Sequence, residues 1–428
     1  MRILLTGASG FLGRAIATVL LAHGHRVVGC VRAPERARRC LPDMELIAAD
    51  FAKDHEPGVW QPRLAGVDVV INAVGIIRET PTQTFAALHE KAPIALFRAC
   101  RDGGVSRVIQ ISALGADDAA VSRYHLSKKT ADDFLRTLDL DWTIVQPSLV
   151  FGAGGGSAQL FTRMAAAPVI VTLGRAEQPV QPIHIEDLSA LVAKLVQTRD
   201  YARQTVAAVG PRALALRAWL HEIRRGLGLP KTIEIALPQP LVNLAARIGD
   251  RFPSMPLSSE TLGMLERGNT ADATTIERAL GRPPRPPQTF ISCAEAPSWR
   301  TRARLALALP LLKISIGILW LASAIVSFGV YPVAESYALL ARTGITGAWA
   351  PLALYGAAAL DLLFGILILA GYTRRWLWFA QLALIAGYSM LIAWFLPEFW
   401  LHPYAPMVKN LVVMAAIFAV LLLDPKAR

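Results

Sequence analysis

Past Arg304 the chain almost runs out of charge. Its last 124 residues of 428 hold seven Lys or Arg and four Asp or Glu, with six of the ten tryptophans. Four apolar stretches fill that span, at about 305–328, 351–371, 376–396 and 407–423. Each approaches the ~20 residues a helix needs to cross a bilayer. An all-α, four-helix transmembrane bundle is predicted there. The first 304 residues carry about one charge in five and read as a soluble head.

The flanks of the spans set an expected orientation. Arg300, Arg302 and Arg304 precede the first, Arg374 and Arg375 separate the second from the third, and Lys426 and Arg428 follow the fourth. The other two loops are charge-poor and carry Tyr331, Trp349, Trp400 and Tyr404. The excess of positive charge on cytoplasmic flanks places the head and the C-terminus in the cytoplasm, with the spans in a bacterial inner membrane. The opening apolar run, Ile3–Leu5, stops at Thr6-Gly7, too short for a secretory signal. Inside the spans lie Lys313, about 12 Å from the cytoplasmic start of the first, and Asp361, about 15 Å from the cytoplasmic end of the second, at 1.5 Å per residue. Similar depth predicts a buried pair, with simple snorkelling of Lys313 as the alternative. Ala357, Ala358 and Gly365 give Asp361 a small-residue face for helix contact.

Residues 2–146 alternate short apolar runs (2–6, 25–31, 45–49, 68–74, 107–112, 142–146) with helical patterns at Phe11–His23, Phe85–Asp102 and Tyr124–Leu138. That alternation predicts an α/β fold, a Rossmann-type doubly wound parallel sheet with helices on both faces. From Pro147 the regularity fades, and 211–285 gives two or three helices with Pro-rich joints. The expected organisation is a nucleotide-binding domain over 1–150, a smaller substrate lobe over 151–290 that returns to the sheet, a linker at 291–304 and the membrane domain at 305–428.

The segment after the first strand reads TGASGFLG. Gly7 permits a tight turn, Gly10 lets backbone approach a pyrophosphate, and Gly13 lets the helix pack closely. Ser9 and the first helical residues Phe11 and Leu12 belong to the same predicted nucleotide contact, because a helix N-terminus attracts the anion. The second strand ends Cys30-Val31-Arg32, without the acidic residue that normally holds the ribose hydroxyls of NAD. Arg32, helped by Arg36 or Arg38, can pair with a 2′-phosphate, so NADP(H) is expected over NAD(H). A solvated helix start is the plain alternative for the Arg run. Asp50, after the third strand, is placed to meet the adenine amino group, and Asn72-Ala73-Val74-Gly75 ends the fourth strand where backbone passes close to the ribose.

Ser112 ends the fifth strand, and Tyr124 and Lys128 follow on one face of the next helix at i, i+4. An ammonium beside a phenol stabilises the phenolate and makes it a usable acid or base. Ser112 can hydrogen-bond a substrate oxygen. Asp187 reads as a helix N-terminal charge and His184 as an orienting side chain. No metal site is expected, since the four cysteines and the histidines are unclustered; a reducing cytoplasm fits those cysteines. The net charge is +12, but no basic stripe with interleaved aromatics argues for nucleic acid.

The segments ISALGAD (111–117), YHLSKKTADDFL (124–135), LDWTIVQPSLVFG (140–152) and QPIHIEDLS (181–189) resemble an atypical, extended short-chain dehydrogenase/reductase. The branch is that of the NADPH-binding accessory subunit of respiratory complex I, and the resemblance covers roughly 1–290. It implies Gly7, Gly10 and Gly13 at the pyrophosphate, Ser112, Tyr124 and Lys128 as a catalytic trio with Lys128 also on the cofactor, and Pro147 and Ser148 beside the nicotinamide. Gln146 departs from the branch, which more often has Arg before Pro-Ser. The tail resembles the DoxX-like family in size and helix count. Two functions are expected from this. The first is a membrane-anchored NADP(H)-dependent oxidoreductase, acting on a lipophilic quinone, isoprenoid or lipid carbonyl. The second is a non-catalytic nucleotide-holding protein of a membrane complex, its head stabilised by ligand. The bilayer is a partner in both; a membrane complex or a second copy of the chain is a further partner class. A third reading, a transporter gated by nucleotide, requires a polar file through the bundle.

Overall fold

The computed structural model describes residues 1–425 except 175, 253, 254 and 256. Lys426 and Arg428, used above for orientation, lie outside the described residues. The chain forms two compact units, Met1–Arg300 and Thr301–Arg428.

The first unit is built on seven parallel strands: β1 (Arg2–Thr6), β2 (Arg26–Val31), β3 (Glu45–Ala48), β4 (Val69–Asn72), β5 (Arg107–Ile111), β6 (Asp141–Pro147) and β7 (Gln204–Ala208). Their spatial order is β7-β6-β5-β4-β1-β2-β3, all parallel, with the order of strand addition reversing between β1 and β4. Side-chain alternation along each strand feeds two cores. Ile3 and Leu5, Val69 and Ile71, and Ile109 and Ile111 pack on one face under helix α1 (Phe11–Ala22). Leu4, Val70 and Val108 pack on the other, under α2 (Ala92–Asp102) and α3 (Arg123–Arg136). Both faces are covered, which is why the strands read as continuous apolar runs. α2 is entered through a wide π turn at Ala86–Lys91.

Residues 151–290, expected as a lobe and part of the same compact unit, contribute α4 (Gly156–Ala166), α5 (Ile185–Gln197), α6 (Leu216–Gly226), α7 (Gln239–Arg251), α8 (Ser259–Glu266) and α9 (Thr274–Leu280). Four helices thus stand in 211–285, where two or three were expected. Within the lobe, α5 and α9 return to the sheet's first core. Asp187, fully buried at the start of α5, accepts from the Arg282 guanidinium at 2.6 Å and the Arg285 amide at 2.8 Å. It fastens the segment after α9. His184 caps α5, its Nδ1 accepting from the Glu186 amide at 3.4 Å.

The second unit carries the remainder of α10 (Ala296–Ile325), then α11 (Trp349–Leu369), α12 (Arg375–Phe395) and α13 (Pro406–Leu423); all four are long and apolar enough to cross a membrane. The first begins nine residues before the apolar stretch, and a short helix, Val333–Arg342, follows it. A Cβ on Gly317 would meet Leu369 at 2.8 Å, and one on Gly365 would meet Leu321 at 2.7 Å and the Gly317 carbonyl at 3.1 Å. That close approach fixes the register of α10 against α11.

The same register corrects the expected Lys313–Asp361 pair. Asp361 accepts from Ser323 at 2.6 Å. Lys313 lies ten residues earlier, about 15 Å along the helix axis, and pairs with Asp424 at the end of α13. Polar contacts recur between other helices of the bundle, with Trp320 donating to Gln381 at 2.7 Å in a buried bond and Asn410 to Ser389 at 2.9 Å in a half-buried one.

Candidate active site at the carboxyl ends of the strands

The glycine turn is held by close backbone contacts. Gly7 has φ +66°, and a Cβ there would stand 2.9 Å from the Ala73 carbonyl. Gly10 donates to the Gly7 carbonyl at 2.8 Å and precedes α1 without a side-chain cap. A Cβ on Gly13 would fall 2.1 Å from the Gly7 carbonyl. The helix packs against its own loop there, which is tighter than the helix–strand contact expected. The first amides of α1, at Phe11 and Leu12, begin a helix whose opening N–H groups have no intrahelical acceptor. A cradle closed to any Cβ, ending in free amides, fits a dinucleotide pyrophosphate. Ser9 is exposed at the turn.

From that turn a line of contacts leads to the predicted catalytic residues. Ala73, Val74 and Gly75 pass between Gly7 and Lys128: the Ala73 amide donates to Thr6 Oγ1 at 3.2 Å, and the Lys128 ammonium donates to the Val74 carbonyl at 3.0 Å. A second Lys128 proton goes to the Ile111 carbonyl at 3.1 Å. A Cβ on Gly75 would lie 3.1 Å from Lys128 Nζ. Gly7, the 73–75 segment, Ser112 and Lys128 therefore meet at the carboxyl ends of β1, β4 and β5, where open α/β sheets bind ligands.

Beneath them runs a buried polar chain that the sequence reading missed. Thr6 donates to Asn72 Oδ1 at 2.6 Å, Asn72 Nδ2 to Gln110 at 2.7 Å, and Gln110 to Asp132 Oδ1 at 3.3 Å. Ser112 donates to the other Asp132 oxygen. Asp132 has no solvent exposure, and burial raises its carboxyl to about 6 despite Lys128 nearby. Burial lowers Lys128 to about 8 by the same physics. Desolvation outweighs the mutual attraction of the pair on both sides. The available signal was spacing, since Asp132 follows Lys128 at i+4 and Tyr124 at i+8.

Tyr124 sits at the start of α3 with its ring edge-on to Phe85, His89 and His125. Burial, with Asp132 adding to it, pushes its phenol up to about 12. This corrects the expectation of a phenol acidified by Lys128, whose ammonium is turned toward backbone carbonyls. His89, on the π turn, accepts from the Ile76 amide at 3.0 Å through Nε2 and meets Ser127 Oγ through Nδ1 at 2.9 Å. Burial holds it neutral, near 2. With Nε2 as acceptor, its proton is on Nδ1. From the lobe, Glu260 accepts from the Tyr124 amide at 2.9 Å.

Other predicted contacts have different partners. The Asn72 side chain belongs to the buried chain. Asp50 Oδ1 accepts from the Ala52 amide at 3.1 Å, closing its own turn. Ser148, next to Pro147 at the end of β6, donates to the Gln181 carbonyl at 2.5 Å, and Gln146 to the Ala116 carbonyl at 3.3 Å. Arg32, Arg36, Arg38 and Arg39 are exposed and form no ion pair among the described residues. No cluster of His, Cys, Asp or Glu suited to a metal occurs among the described residues.

Comparison with known proteins agrees with this fold. Residues 7–198 match the model of an NAD(P)H-binding family, and 317–418 match the DoxX-like family. A ceramide reductase of Caulobacter vibrioides is 27% identical over 266 residues, 61% of this chain and 81% of that protein. The rat mitochondrial NADH dehydrogenase [ubiquinone] 1 alpha subcomplex subunit 9 is 27% identical over 240 residues, 55% of this chain and 62% of its own length. An NADPH-dependent quinone oxidoreductase of Escherichia coli shares the fold, with a TM-score of 0.55 at 16% identity over 68% of this chain and 98% of that one. The chain thus joins a Rossmann head that matches an NAD(P)H-binding family model and is similar to the complex I accessory subunit to an apolar tail that matches the DoxX-like family model.

Proposed function

We propose that the chain is a membrane-anchored reductase of the short-chain dehydrogenase/reductase type, acting on the carbonyl or quinone group of a lipophilic substrate. The observation that carries the reading is the convergence of Ser112, Lys128 and the buried Asp132 beside the Gly7 cradle, with Tyr124 on the same helix. Gly7, Gly10, Gly13 and the opening of α1 hold the pyrophosphate. The backbone of 73–75 and Lys128 face the ribose. Arg32, with Arg36 or Arg38, takes the 2′-phosphate and favours NADP(H). When bound, the dihydronicotinamide supplies a hydride to the substrate carbon.

The chain's own residues supply the proton and its control. A phenol pushed up to about 12 stays protonated at neutral pH, so Tyr124 acts as the acid that protonates the substrate oxygen. Lys128, with two protons committed to the Val74 and Ile111 carbonyls, keeps a third N–H for a ribose hydroxyl. Ser112 donates its one proton to Asp132 in the resting site, and rotation of the hydroxyl turns that proton to the substrate oxygen. The positive flanks support a cytoplasmic head and cytoplasmic termini at a bacterial inner membrane. The name of the ceramide reductase relative supports reduction of a lipid carbonyl.

A second reading, a nucleotide-holding subunit or assembly factor, draws support from the complex I subunit among the relatives and from a cyanobacterial photosystem II assembly factor, 26% identical over half of this chain. Purified full-length protein in nanodiscs, given NADPH with quinones and lipid carbonyls, separates the two. Turnover that falls at least 100-fold in Tyr124→Phe with NADPH affinity intact supports the reductase. Tight NADPH binding with no turnover across the panel supports the second reading.

A further inference from the structure

The head unit covers most of its large apolar side chains, and α7 is the conspicuous exception. One face of α7 is tightly buried: Val242 and Ala246 pack with Leu173, Leu237 and Leu262, and a Cβ on Gly249 would strike the Leu257 carbonyl at 1.8 Å. A second apolar stripe points outward. Leu241, Leu244 and Ile248, with Phe252 just past the helix, are 52%, 54%, 46% and 56% exposed. At i, i+3, i+7 and i+11 they share one side, within about 80° of arc at 100° per residue.

Other apolar side chains of the head are exposed as well, and cations border the stripe itself. Val171 and Ile235 are register partners in a parallel strand pair of the same lobe, both exposed, and Ile233 just before them is exposed as well. Exposed Arg247 and Arg251 border the stripe on α7, and exposed Lys231 precedes Ile233. The acidic residue of α7, Asp250, falls on the opposite side and accepts from Ser259 at 2.6 Å. An apolar stripe bordered by Arg and Lys is the pattern of a helix lying in a membrane interface, its apolar side in the acyl boundary and its cations at anionic headgroups. The occupant follows from the rest of the chain, which carries four helices able to cross a bilayer and so keeps the head at a membrane surface.

We infer that the exposed stripe of α7 is a docking surface for an anionic lipid bilayer. The surface adjoins the candidate site through two contacts. Arg78, three residues beyond Gly75, donates to the Phe252 carbonyl at 3.4 Å, and α8, which follows α7, supplies Glu260 to the Tyr124 amide. Docking there puts the edge of the site at the lipid.

The test uses the full chain in nanodiscs of phosphatidylcholine with phosphatidylglycerol and requires no turnover. Exposed Cys40 and Cys293 are replaced by Ser, while buried Cys30 and Cys100 stay. Spin labels are placed singly through Leu244→Cys, Ile248→Cys and, on the polar side, Asn243→Cys. Collision with oxygen, enriched in acyl chains, is compared with collision with a water-soluble nickel chelate. The expected result is nickel accessibility at least fivefold lower at 244 and 248 than at 243, with high oxygen accessibility and a smaller contrast once phosphatidylglycerol is omitted. Equal nickel accessibility at 243 and 244 would place the stripe in water and overturn the inference. Exclusion of both reagents at 244 would place it against protein, a second copy or a partner, and would overturn it equally.

Discussion

Replacing Asp132 by Asn isolates the cost of keeping a carboxylate beneath the candidate site. Asp132 is fully buried and its carboxyl is raised to about 6 from an ordinary 3.8. The folded head therefore holds this proton more tightly than the unfolded chain does. The stabilisation that results is complete below about pH 4, declines as pH rises, and is gone above about pH 6. Two pKa units correspond to about 3 kcal/mol at 1.36 kcal/mol each. The loss of attraction to Lys128 is already contained in that shift. An amide at 132 is neutral at every pH and fits the chain of hydrogen bonds, its oxygen accepting from Gln110 and its nitrogen donating to Ser112 Oγ. Asp132→Asn is thus expected to match wild type at pH 4 and to be more stable by about 3 kcal/mol at pH 8. For a unit of this size that is roughly 6 °C in melting temperature. Scanning fluorimetry of the full chain in detergent, with hydrogen exchange followed in β5 and α3, reads the difference. Parallel pH profiles for the two proteins, or a less stable variant at pH 8, would refute the reasoning.

The remaining predictions concern the cofactor cradle and the bundle. Gly13→Ala puts a methyl where only backbone could yield, so it is expected to cost about 3 kcal/mol and to weaken NADPH binding more than tenfold by titration calorimetry. Arg32→Ala is expected to raise the NADPH dissociation constant by about 10- to 100-fold, the worth of a charged hydrogen bond, and to leave NADH unchanged; equal effects on both cofactors would reject the 2′-phosphate assignment. Lys313→Leu removes the ammonium from the buried Asp424 carboxylate and is expected to lower the bundle's stability by about 3 kcal/mol. The double change with Asp424→Leu should restore most of it. A single variant as stable as wild type would show that the pair contributes nothing.

What the sequence determined by itself is what local pattern encodes. Short continuous apolar runs between helical patterns placed six of the sheet strands, because each must feed two cores at once. Glycines at 7, 10 and 13 marked the turn, since backbone contact leaves no room for another residue there. Runs of about twenty apolar residues marked the spans, because a bilayer admits little else. Tertiary structure alone decided what depends on the meeting of distant segments. Asn72 and Gln110 stand 38 residues apart, and Ser112 and Asp132 twenty, so their bonds exist only once β4, β5 and α3 are side by side. Lys313 found Asp424, 111 residues away, because glycine contacts set the register of α10 and α11 and carried Asp361 out of reach. The apolar stripe of α7 would read in sequence as core; packing decided otherwise, by turning Val242, Ala246 and Gly249 inward and leaving Leu244 and Ile248 outside.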